Sequence, residues 1–247
     1  MARRRDKSMG MPQPKNLAPN LWIVDQPDLG SGPARGIGTR MTVIKLASGG
    51  LFLHSPTKLD DETRHALDSL GEVRAVVAPS RAHHLFVSDY VKTWPAAKLY
   101  GAPGLVGDIK DFRARGGARR DLKLDAVLSD EPQSEWAGEI NQHLFKGARW
   151  LNEVVFFHRP SRTAIFTDLV FNVPADFKGA RIFYTIVGAR GRFGPHLIVR
   201  LAIRDRKAAR ESVAKILEWD FDRVIVTHGD VLESGGKAKF AAAFSYL

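Results

Sequence analysis

Three short apolar segments of the chain each lead into side chains that can bind a metal ion. Apolar runs of this length, ended by a proline or a polar residue, are typical of buried β-strands. Ligands and catalytic groups tend to lie at the carboxyl ends of such strands. The side chains are His83 and His84 after residues 75–78, Asp168 after residues 163–167, and His228 after residues 224–227. Imidazole and carboxylate groups suit Zn²⁺ or Fe²⁺, and an ion so bound can activate a water molecule as a nucleophile.

The composition narrows the chemistry and sets the size of the fold. The chain contains no cysteine, which excludes disulfides, thiolate metal sites and cysteine nucleophiles and leaves His, Asp and Glu as candidate ligands. With 247 residues, of which 44% are hydrophobic, it can bury the core of one large domain.

The elements that must position these side chains are strands and helices in alternation. Two β-like runs, residues 41–46 and 51–54, are joined by Ala-Ser-Gly-Gly, which predicts a hairpin. A helix capped by Asp60 or Asp61 and a following strand predict a β-α-β unit. Hairpins mixed with such units predict an α/β fold in which two mixed sheets pack together and are covered by helices.

The start of the chain differs from the rest in composition. Residues 1–19 are rich in Pro, Lys and Arg without periodicity, which predicts a disordered basic tail. No linker divides the rest of the chain, so we expect residues 20–247 to form a single domain.

The formal net charge of +10 raises the question of nucleic-acid binding. Basic residues concentrate in the tail, in residues 113–123 and in residues 181–210. Because runs of charge are usually solvated surface, we rank nucleic acid below a small-molecule substrate as the partner. The start of the chain lacks the apolar core of a secretory signal, and no stretch approaches the ~20 apolar residues of a membrane helix. We therefore predict a cytoplasmic protein without a membrane partner.

The order of these elements and their terminal side chains resembles the metallo-β-lactamase superfamily from residue 21 to the last residue. The resemblance implies a four-layer αββα sandwich of two mixed sheets flanked by helices. The first metal-binding motif of that superfamily is His-x-His-x-Asp-His. In this chain, the residues at its four ligand positions are Pro79, Arg81, His83 and His84. The resemblance is thus to a branch that lacks the full motif.

The remaining ligands of the superfamily are a third histidine, an aspartate that bridges two metals and a last histidine. The third histidine falls near Arg149, whereas Asp168 and His228 match the other two. One metal subsite is therefore lost, and the other is retained as His83 or His84 with Asp168 and His228. The resemblance implies one ion at most, Zn²⁺ or Fe²⁺, with a site that holds no ion as the open alternative.

Three further residues near these positions carry charge. Glu153 lies close in sequence to the lost third histidine and is a candidate substitute ligand or general base, acting with Asp168 as a catalytic pair. Arg81 and Arg149 are candidates to bind an anionic substrate, or to pair with Asp168 and Glu153 and abolish metal binding. The residues do not decide between these two roles.

Three functions are compatible with this pattern. The first is a metal-dependent hydrolase of a small, anionic molecule, for which the sequence identifies no specific substrate. The second is a non-catalytic binding protein of the same fold, with Arg81 and Arg149 filling the metal pocket and an anionic molecule or a protein as its partner. The third is a nucleic-acid-binding protein, which the missing histidines disfavour. The sequence predicts no oligomeric state.

Overall fold

The computed structural model describes residues 13–27, 36, 38–106, 122–148, 150–178 and 180–247. Among these, no helix is both long enough and apolar enough to cross a membrane.

The first sheet has seven strands that lie side by side in chain order. Its strands are β1 (Lys15–Ala18), β2 (Leu21–Gln26), β3 (Thr39–Lys45), β4 (Gly50–His54), β5 (Glu72–Ala78), β6 (Lys98–Gly101) and β7 (Ala126–Val127). Pairing is antiparallel from β1 to β4 and parallel from β4 to β7, so the sheet is mixed. Helix α1 (Asp61–Leu70) makes the crossover between β4 and β5, and α2 (Val87–Thr93) makes the one between β5 and β6.

The second sheet has four strands in the order β13-β10-β9-β8. They are β8 (Ile140–Leu144), β9 (Val154–His158), β10 (Thr163–Phe166) and β13 (Arg223–Val226). The β10–β13 pair is parallel and the other two pairs are antiparallel. A separate antiparallel pair consists of β11 (Phe171–Val173) and β12 (Arg192–Gly194). The remaining helices are α3 (Arg181–Ile186), α4 (Leu197–Ala202), α5 (Arg206–Leu217) and α6 (Gly236–Ala243).

Alternation of side chains along the strands divides the core into layers. In β5, Val77 lies in a cluster between the two sheets, whereas Val76 lies in a cluster with α1 and α2. In β9, Phe156 faces the first sheet and Phe157 packs toward the helices that cover the second. This period of two is what a strand buried on both faces requires. The predicted αββα arrangement of two mixed sheets is confirmed.

The beginning of the fold differs from the prediction. Lys15–Ala18 forms an edge strand that pairs with β2, so the predicted disordered tail at residues 1–19 is wrong over these four residues. The Asn16 side chain donates to the carbonyls of Ala18 and Leu21, which supplies local order that composition alone does not reveal. Residues 1–12 lie outside the described part of the chain.

Candidate metal centre

The ends of three strands converge on one edge of the sandwich. Strands β10 and β13 are parallel neighbours with Phe166 opposite Val226, so Asp168 and His228 both lie two residues beyond the same point of the sheet. His83 arrives from the other sheet, five residues after β5 ends. The two sheets therefore each contribute to one group of side chains.

His83, Asp168 and His228, here called the metal group, present one ligand atom each, and all three atoms lie within 4.8 Å of one another. The His83 Nε2 atom is 3.3 Å from Asp168 Oδ2, and the His228 Nε2 atom is 3.3 Å from Asp168 Oδ1. The Asp168 side chain keeps 19% of its surface exposed, so the group is open to solvent on one side. Burial alone raises the pKa of Asp168, but the two histidines outweigh it and hold the pKa well below its usual range.

Each histidine of the metal group is fixed through its second ring nitrogen. The His228 Nδ1 atom is 2.7 Å from the carbonyl oxygen of Gly38, and the His83 Nδ1 atom is 2.8 Å from Ser55 Oγ. Phe171 stacks on the His228 ring at 5.1 Å between centroids. Such partners orient a ligating imidazole and choose its tautomer.

The tautomer of His228 is determined by its partner. A carbonyl oxygen can only accept, so Nδ1 of His228 carries the proton and donates it to Gly38. In the neutral ring, Nε2 then directs a lone pair at the Asp168 carboxylate, which is favourable only with a proton or a cation between them. A metal cation bound by all three side chains would meet that need, because imidazole nitrogens and carboxylate oxygens are common ligands of Zn²⁺ and Fe²⁺.

The separations also fit a single ion. Two ligand atoms that each lie about 2.0–2.1 Å from a tetrahedral Zn²⁺ are about 3.3–3.4 Å apart. Both observed nitrogen–oxygen separations are 3.3 Å, although they end on different oxygens, Oδ2 of Asp168 for His83 and Oδ1 for His228. The chemistry of the three donors fits one metal ion, and their ligand atoms lie within 4.8 Å of one another.

Arg40, which sequence reasoning missed, and Gly229 hold the loop that carries His228. The buried Arg40 guanidinium donates to the carbonyls of Val226 at 2.7 Å and Gly229 at 2.8 Å, on both sides of His228. Gly229 has φ +107°, and a Cβ there would lie 2.2 Å from the carbonyl oxygen of Asn172. Close approach of two backbones thus requires glycine after the histidine.

Glu153 lies behind the metal group and not in it. Its carboxylate is fully buried and accepts backbone N–H bonds from Thr167 at 2.7 Å and from Asp168 and Leu169 at 2.8 Å each. Burial and the nearby Asp168 charge raise the pKa of Glu153 to about 7, against the amide donors. Both oxygens accept from the loop that presents Asp168, and Glu153 is not among the three residues of the metal group. Its role as ligand or general base stays a prediction, whereas its contacts hold the backbone of that loop.

His84 is not part of the metal group, although the sequence made it a candidate ligand. It is buried, whereas its neighbour His83 reaches Asp168. The Oγ atom of Ser80 accepts from the amides of Ala82 and His83 at 3.3 Å each, and this tight turn fixes which of the adjacent histidines faces the carboxylate.

A cleft of about 1000 Å³ begins at Arg81, two residues before His83. Its lining includes the cations Arg81, Lys146 and Arg204, one carboxylate, Asp205, and the side chains of Trp150 and Asn152. We call it the cationic cleft. Lys146 pairs with Asp130 at 2.9 Å, whereas Arg81 makes no ion pair with Asp168 or Glu153 within the described residues. Arg149, the second predicted anion-binding residue, lies outside the part of the chain that the structure describes.

Other residues around the metal group carried no pattern in the sequence. The rings of His196 and Phe171 make an edge-to-face contact with 4.4 Å between their centroids, and His54 is fully buried close to His83. Burial, with His83 as a second cause, lowers the pKa of His54 to about 3. His54 is the last residue of β4 and His196 is the N-cap residue of α4, and this position at the end of an element is the signal that could have identified them.

Comparison with known proteins locates the chain in a family and in a fold. Residues 20–181 match the model of the family described as Domain of unknown function (DUF4336), a range that includes His83 and Asp168. No curated protein sequence matches the chain.

Solved structures with a similar fold are metallo-β-lactamases. A metallo-β-lactamase from Pontibacter korlensis has 10% identity and a TM-score of 0.61, and the match covers 96% of this chain and 100% of that one. One from Hirschia baltica has 15% identity and a TM-score of 0.59, with 95% and 98% covered. The enzyme FIM-1 from Pseudomonas aeruginosa, in its mono-zinc form, has 11% identity and a TM-score of 0.59, with 96% of each chain covered. The resemblance read from the sequence is thereby confirmed for the fold.

Proposed function

Since the chain belongs to the DUF4336 family and has the metallo-β-lactamase fold, we propose that it is a hydrolase that depends on one metal ion held by His83, Asp168 and His228. The observation that carries this proposal is the meeting of two imidazole nitrogens and a carboxylate from separate strand ends. A similar fold holds a single zinc ion in the mono-zinc form of FIM-1. Zn²⁺ and Fe²⁺ are the ions that the donor set favours.

Each residue at or next to the metal group has a distinct role in this proposal. The ion, when bound, supplies a Lewis acid and lowers the pKa of water at this position. Asp168 contributes the negative charge, and His83 and His228 contribute neutral imidazoles whose orientation is set by Ser55 and Gly38. Glu153 fixes the backbone of the loop that carries Asp168.

The substrate in this proposal is a small anionic molecule bound in the cationic cleft. Arg81 lines this cleft and precedes His83 of the metal group by two residues in the chain. A guanidinium presents paired N–H donors that match a carboxylate or phosphate. Trp150, which is 43% exposed, adds an aromatic surface to the same cleft.

The test is metal analysis of the purified protein after loading with Zn²⁺ or Fe²⁺ and removal of excess ion. We expect about one equivalent in the wild type and almost none in Asp168→Asn or His228→Ala. The matched control is His143→Asn, which removes a histidine paired with Asp130 at 3.0 Å outside the metal group and should leave the stoichiometry unchanged. A wild type that holds no ion after loading would refute the proposal.

A second candidate is a non-catalytic protein that binds an anion in the cationic cleft, favoured by the absence of an Arg81 ion pair with Asp168 or Glu153 among the described residues. Binding of phenyl phosphate by a wild-type protein that retains no metal would support it. A metal-loaded protein that hydrolyses phosphate or carboxylate esters, and loses this activity in Asp168→Asn, would exclude it.

A further inference from the structure

Two short helices after the metal group expose large apolar side chains to solvent. On α3, Ile182 and Ile186 are 77% and 72% exposed, and on α4, Leu201 is 69% exposed. The complete set, here called the apolar face, is Ile182, Phe183, Ile186, Leu197, Ile198 and Leu201. Single exposed apolar residues are ordinary, but a group of this size marks an interaction surface.

The spacing shows that each helix exposes one coherent side. On each helix, the second exposed apolar residue follows the first by one position and the third follows it by four. The residue numbers are 182, 183 and 186 on α3 and 197, 198 and 201 on α4. Residues with this spacing share one side of a helix. The opposite sides are buried, as at Tyr184 on α3 and Val199 on α4. The Leu197 amide donates to the Val187 carbonyl at 2.9 Å, so the end of α3 meets the start of α4.

The segment that carries the apolar face is basic and lies between two exposed carboxylates, Asp176 and Asp205. From residue 177 to residue 204 the sequence contains six basic residues and no Asp or Glu. They are Lys178, Arg181, Arg190, Arg192, Arg200 and Arg204. Lys178, Arg181, Arg192 and Arg204 are exposed. An apolar surface bordered by exposed cations has the composition of a segment that lies on an anionic lipid bilayer.

This face lies beside the metal group. His196, which caps the N-terminus of α4, contacts Phe171, and Phe171 stacks on His228. On its other side, Ala202 at the end of α4 and the following Arg204 line the cationic cleft. A surface that held α3 and α4 would therefore also lie near His228 and near the cationic cleft.

We infer that the apolar face docks the protein on an anionic membrane surface, with Ile182, Ile186 and Leu201 entering the boundary of the acyl chains and the surrounding Lys and Arg contacting lipid phosphates. A second copy of the chain fits less well, because pairing this face with itself would bring two sets of six cations together. Nucleic acid would be attracted by the cations but would not use the exposed aliphatic side chains. The prediction of no membrane partner rested on the lack of a membrane-spanning segment, which this inference does not need. The inference replaces that prediction and is independent of metal binding.

The experiment is co-sedimentation of the full chain with vesicles of phosphatidylcholine alone or mixed with phosphatidylserine. We expect binding to the mixed vesicles that weakens with salt, and at least about tenfold weaker binding to phosphatidylcholine alone. The variant Ile182→Ser/Ile186→Ser/Leu201→Ser should bind mixed vesicles at least about tenfold more weakly. These three side chains are exposed, so an unchanged circular dichroism spectrum and melting temperature should accompany the loss.

A pair of charge variants separates a local contact from the net charge. Lys178→Glu/Arg181→Glu/Arg192→Glu should lose about a hundredfold or more in affinity for the mixed vesicles. The control Lys58→Glu/Lys92→Glu/Lys239→Glu makes the same change in net charge at exposed positions elsewhere and should bind much as the wild type does.

Three outcomes would overturn the inference. The first is equal loss of binding in both charge variants, and the second is full binding by the serine variant. The third is wild-type protein that ignores vesicles and instead forms a dimer that the serine substitutions dissolve, or that binds a DNA duplex regardless of them.

Discussion

The two sides of the loop at residues 79–84 have opposite chemistry. On one side, the metal group is an anion flanked by two imidazoles, and its carboxylate faces both rings at 3.3 Å. In contrast, Arg81 of the same loop lines the cationic cleft, whose lining has two further cations, Lys146 and Arg204, and one carboxylate, Asp205. Our proposals thus assign a metal-binding half and an anion-binding half to residues of the same loop. Under these proposals, Arg81 stands where the metallo-β-lactamase motif has a histidine, and its guanidinium would bind an anion where an imidazole would bind a cation.

The largest effect should come from the residue that supports the metal-binding half. In Glu153→Gln, one carboxylate oxygen becomes an NH₂ group, so at least one of the amides of Thr167, Asp168 and Leu169 loses its acceptor in a fully buried place. We expect the free energy of unfolding to fall by about 2–4 kcal/mol, measured by chemical denaturation.

A matched substitution on the surface isolates the effect of burial. Both oxygens of Glu139 accept the amide of Ala47 at an exposed position, so Glu139→Gln should change the free energy of unfolding by less than about 1 kcal/mol. Equal effects of the two substitutions would show that Glu153 does not organise the Asp168 loop.

The orientation of the metal-group histidines gives the next prediction. Ser55→Ala removes the hydroxyl that holds His83 Nδ1 and should weaken metal affinity by about 10–100-fold, measured by competition with a chelating dye. Ser161→Ala is the matched control, since Ser161 Oγ holds Nδ1 of His158 at 2.7 Å away from the metal group. Unchanged metal affinity in Ser55→Ala, or an equal loss in Ser161→Ala, would contradict the role assigned to Ser55.

How far the sequence leads can be judged from the residues of the metal group and their supports. Asp168 and His228 could be predicted because strand ends are visible as apolar runs and parallel neighbours end at the same edge. The choice of His83 over His84 could not, because it depends on the turn that Ser80 closes. The role of Glu153 could not either, because nearness in sequence to a lost ligand says nothing about burial or about three backbone donors.

The supports and the apolar face had weaker signals. Ser55 and Gly38 reach the histidines from positions 28 and 190 residues away, and such contacts leave no local pattern. The two mixed sheets could be predicted from the sequence, since the periodicity of strands and the residues of turns are local properties. The exposed side of α3 and α4 was not, because apolar residues at helical spacing predict burial unless the neighbouring elements are known.

The buried His158, the last residue of β9, gives a prediction for the stability of the fold in acid. Burial lowers the pKa of His158 from 6.5 to about 4, so the unfolded chain takes up a proton at a higher pH than the folded chain does. Its contribution to stability is complete above pH 6.5 and is lost as the pH falls toward 4. His158→Asn should therefore reduce the loss of stability between about pH 7.5 and about pH 5 by about 2 kcal/mol. Denaturant unfolding at both pH values measures this, and replacing the exposed His65 by Asn should leave the wild-type dependence.

The smallest effect should arise on the anion-binding half, where the comparison between the two halves is tested most directly. Arg81→Ala should weaken the binding of phenyl phosphate by about tenfold, measured by calorimetry, because one charge-assisted contact is lost while Arg204 remains in the cleft. The metal stoichiometry should stay at that of the wild type, whereas Asp168→Asn should show the inverse pattern. Arg74→Ala, which removes an exposed arginine paired with Glu72, serves as the control. If Arg81→Ala released the metal, or if Asp168→Asn weakened phenyl phosphate as much as it weakened metal, the two halves would be one site. Their opposite charges would then serve a single ligand that bridges them.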